Sequence, residues 1–524
     1  MSRSLQPVPA VELELFTNRF RALVDEMGEM LRRTALSVNI KERLDFSCAL
    51  LDPAGRLVVN APHIPVHLGS LGLCVRALRS EMEFEPGDVA VTNHPAFGGS
   101  HLPDVTVVTP VFGGGASSEK PELLGYVANR AHHAEMGGTR PGSMPPDATR
   151  LSEEGVVIPP LFLVRGGTPR WSEIAGRLST GPFPSRSVEE NLADLAAALA
   201  ANRRGVEQLV SLAAEFGAQT LRRHMAALSR QATDALESAL GRFATGSYSA
   251  GSRLDDGTPL RVRLDLAPNK LVIDFEGTGG VHPGNLNATP AITRSAVLYV
   301  LRLLIEEPLP LNEGLLDGVE VRIPLGLLNP EFGADPASSP AVVGGNVETS
   351  QRLVDTLLEA LGVAACSQGT MNNILFGNES FAFYETVCGG AGATARSEGA
   401  TAVHSHMTNT AITDPEILEH RYPVRLERFA VRRGSGGKGK HRGGDGVTRE
   451  LLFLAPLSLS VLTQHRVEEP YGASGGGPGS RGSQVVRRGS GDEIALEPID
   501  GVDVEPGDRL VLETPGGGGF GVSG

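Results

Sequence analysis

One stretch, residues 93–138, constrains the fold more than any other. It runs N-H-P-A-F-G-G-S-H-L-P-D-V-T-V-V-T-P-V-F and, after a short Gly/Ser/Glu-rich insertion, Y-V-A-N-R-A-H-H-A-E-M-G-G. Residues 105–112 are apolar and β-branched, which reads as a strand, and 123–131 read as a second. A strand out and a strand back bring His132 and His133 near His101 and Asp104. Neutral imidazole and carboxylate then meet at one point, as a borderline divalent cation such as Zn, Mn or Fe requires. The plainer alternative is that these histidines cap strand ends. Six of the 13 histidines (His63, His67, His94, His101, His132, His133) fall in or just before this stretch. That density favours the metal.

The rest of the chain supplies a large mixed scaffold. Its 524 residues are enough for several domains, and 40% apolar with 21% charged residues is ordinary for a globular chain. A net charge of −14 argues against a nucleic-acid partner, which needs a basic surface. The four cysteines (Cys48, Cys74, Cys366, Cys388) form no CxxC pair, so neither a disulfide framework nor a thiolate zinc site is indicated. No signal-peptide pattern opens the chain, and no apolar run approaches the ~20 residues of a membrane span. A cytoplasmic location, with no membrane contact, is the expectation.

Along the chain, 9–35 carries helical apolar spacing, and 46–60 reads as a hairpin with Asp45 just before it. Asp45 is either a turn former or a further ligand. His63 and His67 lie on a Pro-bearing extended loop. Residues 187–243 turn Ala/Leu/Glu/Arg-rich, predicting two or three helices broken at Gly205 and Gly217. His404 and His406 sit two apart, on one side of a strand if the segment is one. From 432 onward the chain is Gly-rich with short strands. The run G-S-G-G-K-G-K-H (434–441) comes within one residue of a phosphate-binding loop, but no helix is predicted to follow it, so nucleotide binding is rejected. The expectation is an α+β fold with a metal-binding α+β domain at 1–186, a helical arm at 187–246, a second α+β domain at 247–430 and a Gly-rich, mostly β unit at 431–524.

Several longer motifs add a resemblance. H-I-P-V-H-L-G-S (63–70), G-G-S-H-L-P-D-V-T-V-V-T-P-V-F (98–112), N-R-A-H-H-A-E-M-G-G (129–138), H-S-H-M-T-N-T (404–410), R-G-G-D-G (442–446) and E-T-P-G-G-G-G-F-G (513–521) carry it. From about residue 12 to 521 the chain resembles the hydantoinase B family. The resemblance implies one divalent metal held by Asp45, His101, Asp104 and His132. It implies a partner too, a hydantoinase A-type ATPase that binds ATP and phosphorylates the carbonyl oxygen of a small cyclic amide. This chain would then be the B-type component of an ATP-dependent hydrolase opening a hydantoin, 5-oxoproline or lactam ring by means of a metal-bound water, within a hetero-oligomer. His133 and Glu135, and less directly His94, are candidates for orienting that water or moving its proton. His94 also departs from the family pattern, which commonly has Asp there. Two other functions fit the same resemblance: the large component of an acetone carboxylase-type enzyme that carboxylates an enolate, and a non-catalytic scaffold for the A-type ATPase.

Overall fold

Asp104 and His132 face one another because two long strands pair in register. In the computed structural model, which describes residues 8–60, 64–113, 121–268 and 270–523, the first sheet has seven strands. These are β1 (Phe46–Leu51), β2 (Leu57–Asn60), β3 (Val89–Thr92), β4 (Asp104–Gly113), β5 (Glu122–His132), β6 (Leu161–Arg165) and β7 (Thr168–Pro169), in the order β2-β1-β5-β4-β3-β6-β7. β4 and β5 are antiparallel with Asp104 opposite His132, and β1 lies along the other edge of β5 with Phe46 opposite Ala131. His63, residues 114–120 of the insertion and Asn269 lie outside the described residues.

Both faces of this sheet are buried, which explains the near-continuous apolar runs of β1, β3 and β4. The helices Ala10–Thr34 and Val188–Phe216 cover one face, with Phe20, Met27, Leu195 and Leu209 in one core with Val107 and Val127. The helix Ser70–Glu81 covers the other, through Leu71, Val75 and Leu78.

The predicted break at Gly205 does not occur. Val188–Phe216 is one continuous helix, and a Cβ at Gly205 would run into the Met27 sulfur. That glycine lets two helices approach closely; only Gly217, with φ 85°, ends a helix. The helices of 187–246, expected as an arm, pack into the cores. The first lies on the sheet. The second, Ala218–Leu240, starts in the first core with Leu221 and Met225 and ends in the second with Leu236 and Ala239.

That second core lies under a four-stranded sheet ordered Val319–Arg322, Lys270–Asp274, Pro259–Ala267, Gly246–Arg253, and includes the helices Pro290–Leu303 and Ser350–Leu361. Two further sheets complete the α+β fold. Both join strands from either side of the predicted 430/431 boundary. Leu457–Leu462 pairs with Asn373–Gly377, and Gly446–Phe453 pairs with Val424–Arg432. No helix among the described residues is long and apolar enough to cross a membrane.

Beside these sheets the Gly-rich segments pack backbone to backbone. Around Gly516–519, each successive N–H donates to a different neighbour: Ser480, Gly444, Cys366 and Gly477, at 2.8–3.1 Å. The 434–441 run belongs here, with Gly437 N–H donating to the Gly517 carbonyl at 2.8 Å.

Candidate metal centre

β4 starts at Asp104 and β5 ends at His132, so the sheet itself brings these two side chains together. The turn before β4 supplies His101. His101 Nε2, His132 Nδ1 and Asp104 Oδ1 form a triangle with edges of 3.2, 3.3 and 3.4 Å. All three residues are at most 2% exposed. A proton satisfies only one pair of such atoms, whereas a cation satisfies all three lone pairs. Ligands held at ~2.0–2.1 Å in a tetrahedron stand about 3.3–3.4 Å apart, so the triangle fits one face of a zinc-like coordination shell. Among the described residues, these three are the group whose ligand atoms all lie within 4.8 Å of one another.

The surroundings fix this geometry. His67 Nε2 lies 3.2 Å from Asp104 Oδ2, and its Nδ1 lies 3.1 Å from Ser47 Oγ. The Ser100 hydroxyl donates to the same Asp104 oxygen. Asp104 Oδ1 is thereby left for the triangle. Burial acts to raise the Asp104 carboxyl, but His101, His67 and the hydrogen bond from His132 outweigh it and hold it well below the usual carboxylate range. Burial pushes His132 down, against the pull of Asp104 and Asp45, which favours the neutral ring. Ionised carboxylate and neutral imidazole are the forms a metal takes.

A cavity of about 10 Å3 adjoins the triangle, the size that takes one water molecule. Asp45, His67, Asn346, Tyr384 and Thr408 line it along with the three. Asp45 thus lies at the same cavity but outside the tight triangle. Its backbone carbonyl accepts from His132 N–H at 3.0 Å, and its carboxylate lies 3.6 Å from Arg43 Nη1. The Tyr384 ring stacks on His132 at 4.7 Å, and the Arg43 guanidinium lies 4.5 Å from the centre of that ring.

The structure places His133, Glu135 and His94 away from the cavity; none of them lines it. Successive side chains leaving a strand point to opposite sides, so His133 turns from His132 and accepts from the Asn191 amide at 3.2 Å. Glu135 accepts from Gly137 N–H and from Gly142 N–H and pairs with Arg186 at 3.1 Å, ordering the glycine loop that follows it. His94 Nδ1 accepts from Ala96 N–H at 3.1 Å and caps a short turn. His404 and His406 are not on a strand; His406 pairs with Asp355 at 3.0 Å.

Sequence reasoning missed Asn346. It sits in a π turn, Gly345–Thr349, that leads directly into the helix Ser350–Leu361. Its Nδ2 is 3.5 Å from His101 Nε2, although 245 residues separate them. The signal available was the glycine pair of V-G-G-N-V-E-T (343–349) just before a helix.

The fold and this cluster define a class: mixed α+β proteins with a buried imidazole–carboxylate centre at the end of a sheet. Within it, the chain belongs to the hydantoinase B/oxoprolinase family, whose sequence model matches residues 9–523. It is 44% identical to 5-oxoprolinase 1 of Arabidopsis thaliana, over 98% of this chain and 42% of that protein. It is 26% identical to a putative D-/L-hydantoinase B-type subunit of Pseudomonas sp., over 99% of this chain and 90% of that one. The ATP-dependent caprolactamase from Pseudomonas jessenii has the same fold, with a TM-score of 0.87 at 25% identity, over 98% of this chain and 91% of that one. The chain spans about two-fifths of the length of the 5-oxoprolinases it matches.

Proposed function

We propose that this chain is the hydrolytic component of an ATP-dependent enzyme that opens cyclic amides, of the hydantoin, 5-oxoproline or lactam kind. The observation that carries the reading is the buried triangle of His101 Nε2, His132 Nδ1 and Asp104 Oδ1, with edges of 3.2–3.4 Å. These three, with Asp45 at the cavity wall, would hold one divalent ion, of Zn, Mn or Fe. When bound, such an ion supplies Lewis acidity at neutral pH, towards water or a carbonyl oxygen.

The chain's own residues do the rest. His67 and Ser100 occupy one oxygen of Asp104 and leave the other free. Tyr384 stacks on the face of the His132 ring, and Arg43 backs the Tyr384 ring in turn. Ile64, Val66, Val347, Met371 and Met407 wall the cavity with apolar surface, which strengthens charge interactions inside it.

An amide carbonyl is a poor electrophile, so activation must come first. We assign that step to a separate A-type ATPase acting on the carbonyl oxygen. The support is that relatives named 5-oxoprolinase are more than twice as long as this chain, while a relative of matching length is named as one subunit of a hydantoinase. The test is co-expression with an A-type ATPase of the same family system, followed by ATP-dependent ring opening across hydantoins, 5-oxoproline and lactams. Elemental analysis of the purified chain accompanies it. Absence of both metal and ring opening would end this reading.

A further inference from the structure

Among the described residues lining the cavity, Asn346 is the one neutral amide, and its oxygen is unspent. The residue is 3% exposed, and Oδ1 has no hydrogen-bond partner. Nδ2 has one contact, 3.5 Å from His101 Nε2, the atom that faces the other two ligands. Once that lone pair is given to an ion, Nδ2 also loses its partner. A buried carboxamide that lines a polar cavity and has an unpartnered oxygen calls for a small hydrogen-bonding occupant. The cavity of about 10 Å3 takes one water beside the ligand triangle.

The backbone holds this amide rigidly. The Glu154 carboxyl oxygen accepts from Val342 N–H and Val343 N–H, both at 2.8 Å, at the head of the turn. A Cβ at Gly344 or Gly345 would overlap Asn285 or Asn287, so the turn is wedged against that loop. The π turn itself, with Ser350 N–H bonded back to the Gly345 carbonyl, sets the direction of Asn346.

We propose that Asn346 is a catalytic residue that orients the attacking water, with Oδ1 accepting a hydrogen bond from it. This rests on the metal-centre reading above. Asn346 makes and breaks no bond; it fixes where the water's lone pair points.

The test uses the full chain and Zn²⁺ alone. A crystal structure of the Zn²⁺-loaded protein should show an ordered water about 3 Å from Asn346 Oδ1; zinc bound with no water on Asn346 overturns the proposal. Two near-isosteric variants then separate orientation from packing, both in complex with the A-type ATPase. Asn346→Leu fills the space without an acceptor and should lower kcat about 100-fold, with KM within threefold and zinc content unchanged. Asn346→Asp keeps the acceptor and should stay within tenfold of wild type. Full activity in the Leu variant, or loss of zinc from both, overturns the assignment. Zinc retained by a His101→Ala variant would instead overturn the metal-centre reading beneath it.

Discussion

Two buried regions of this chain solve opposite problems. At the candidate metal centre, side chains from β4, β5, the turn before β4 and a distant π turn converge on one point, where three ligand atoms face one another and Asn346 Oδ1 has no partner. In the glycine bundle, segments near 366, 390, 444, 477 and 517 converge just as tightly, but the backbone is its own partner and its N–H groups are spent on neighbouring carbonyls. Polar convergence with open valences reads as a site. Polar convergence with closed valences reads as structure, however suggestive its sequence. The G-S-G-G-K-G-K-H run is the instructive case, since its glycines serve contact with Gly517 and Gly443.

Removing a ligand should separate the two regions most. His101→Ala or Asp104→Ala should lose the bound ion and lower turnover by ~10^4-fold or more, with the melting temperature changed far less. Elemental analysis beside a thermal melt checks this. Unaltered metal content in either variant would make the triangle a structural cluster like the bundle.

The reverse experiment adds one methyl group to the bundle. A Cβ at Gly517 would overlap the Ala391 carbonyl, so Gly517→Ala should cost ~3 kcal/mol or more and reduce soluble yield. Gly176, within the helix Trp171–Leu178, has nothing within reach of a Cβ. Gly176→Ala should therefore be neutral or stabilising by up to ~1 kcal/mol. Equal melting temperatures for the two variants would show that close packing is not what the bundle's glycines provide.

A third variant probes the support of the centre. His67→Ala leaves Asp104 Oδ2 held by Ser100 alone and should weaken metal affinity by ~10–100-fold without abolishing it. A competition titration against a chelator measures this, and an unchanged affinity would leave Ser100 as the sole anchor of that oxygen.

Much of the centre was legible because it is local. Strands 104–113 and 122–132 follow from β-branched composition, and His101, Asp104 and His132 mark the same end of them. The same locality misled at His133 and Glu135. They are neighbours in sequence, but alternation along an extended chain turns them to Asn191 and to the loop at 137–142. Asn346, Tyr384 and Arg43 could not be read, because stacking and a π turn leave no period and the partners are hundreds of residues apart. The bundle escaped for a related reason. Each N–H finds a different segment, so neither a strand nor a helix pattern records it.

The smallest expected effect concerns the clamp on the π turn. Burial pushes Glu154 up to about 8, although the Val343 and Val342 N–H groups pull it down, and its second oxygen has no partner. The folded chain therefore holds a proton that the unfolded chain releases near pH 4.5. Stability from this group is full below that pH and is lost as pH rises to about 8. Glu154→Gln keeps an acceptor for the two amides and does not titrate, so its stability should fall less between about pH 5 and 8, by ~1–2 kcal/mol. The two regions should then part company. In wild type, amide exchange at 342–343 should quicken over this range beyond the intrinsic base-catalysed rise, while exchange at 517–518, where no ionisable side chain holds the backbone, follows the intrinsic rate. Identical pH slopes for wild type and Glu154→Gln would mean that the turn carrying Asn346 is held by the wedged glycines alone.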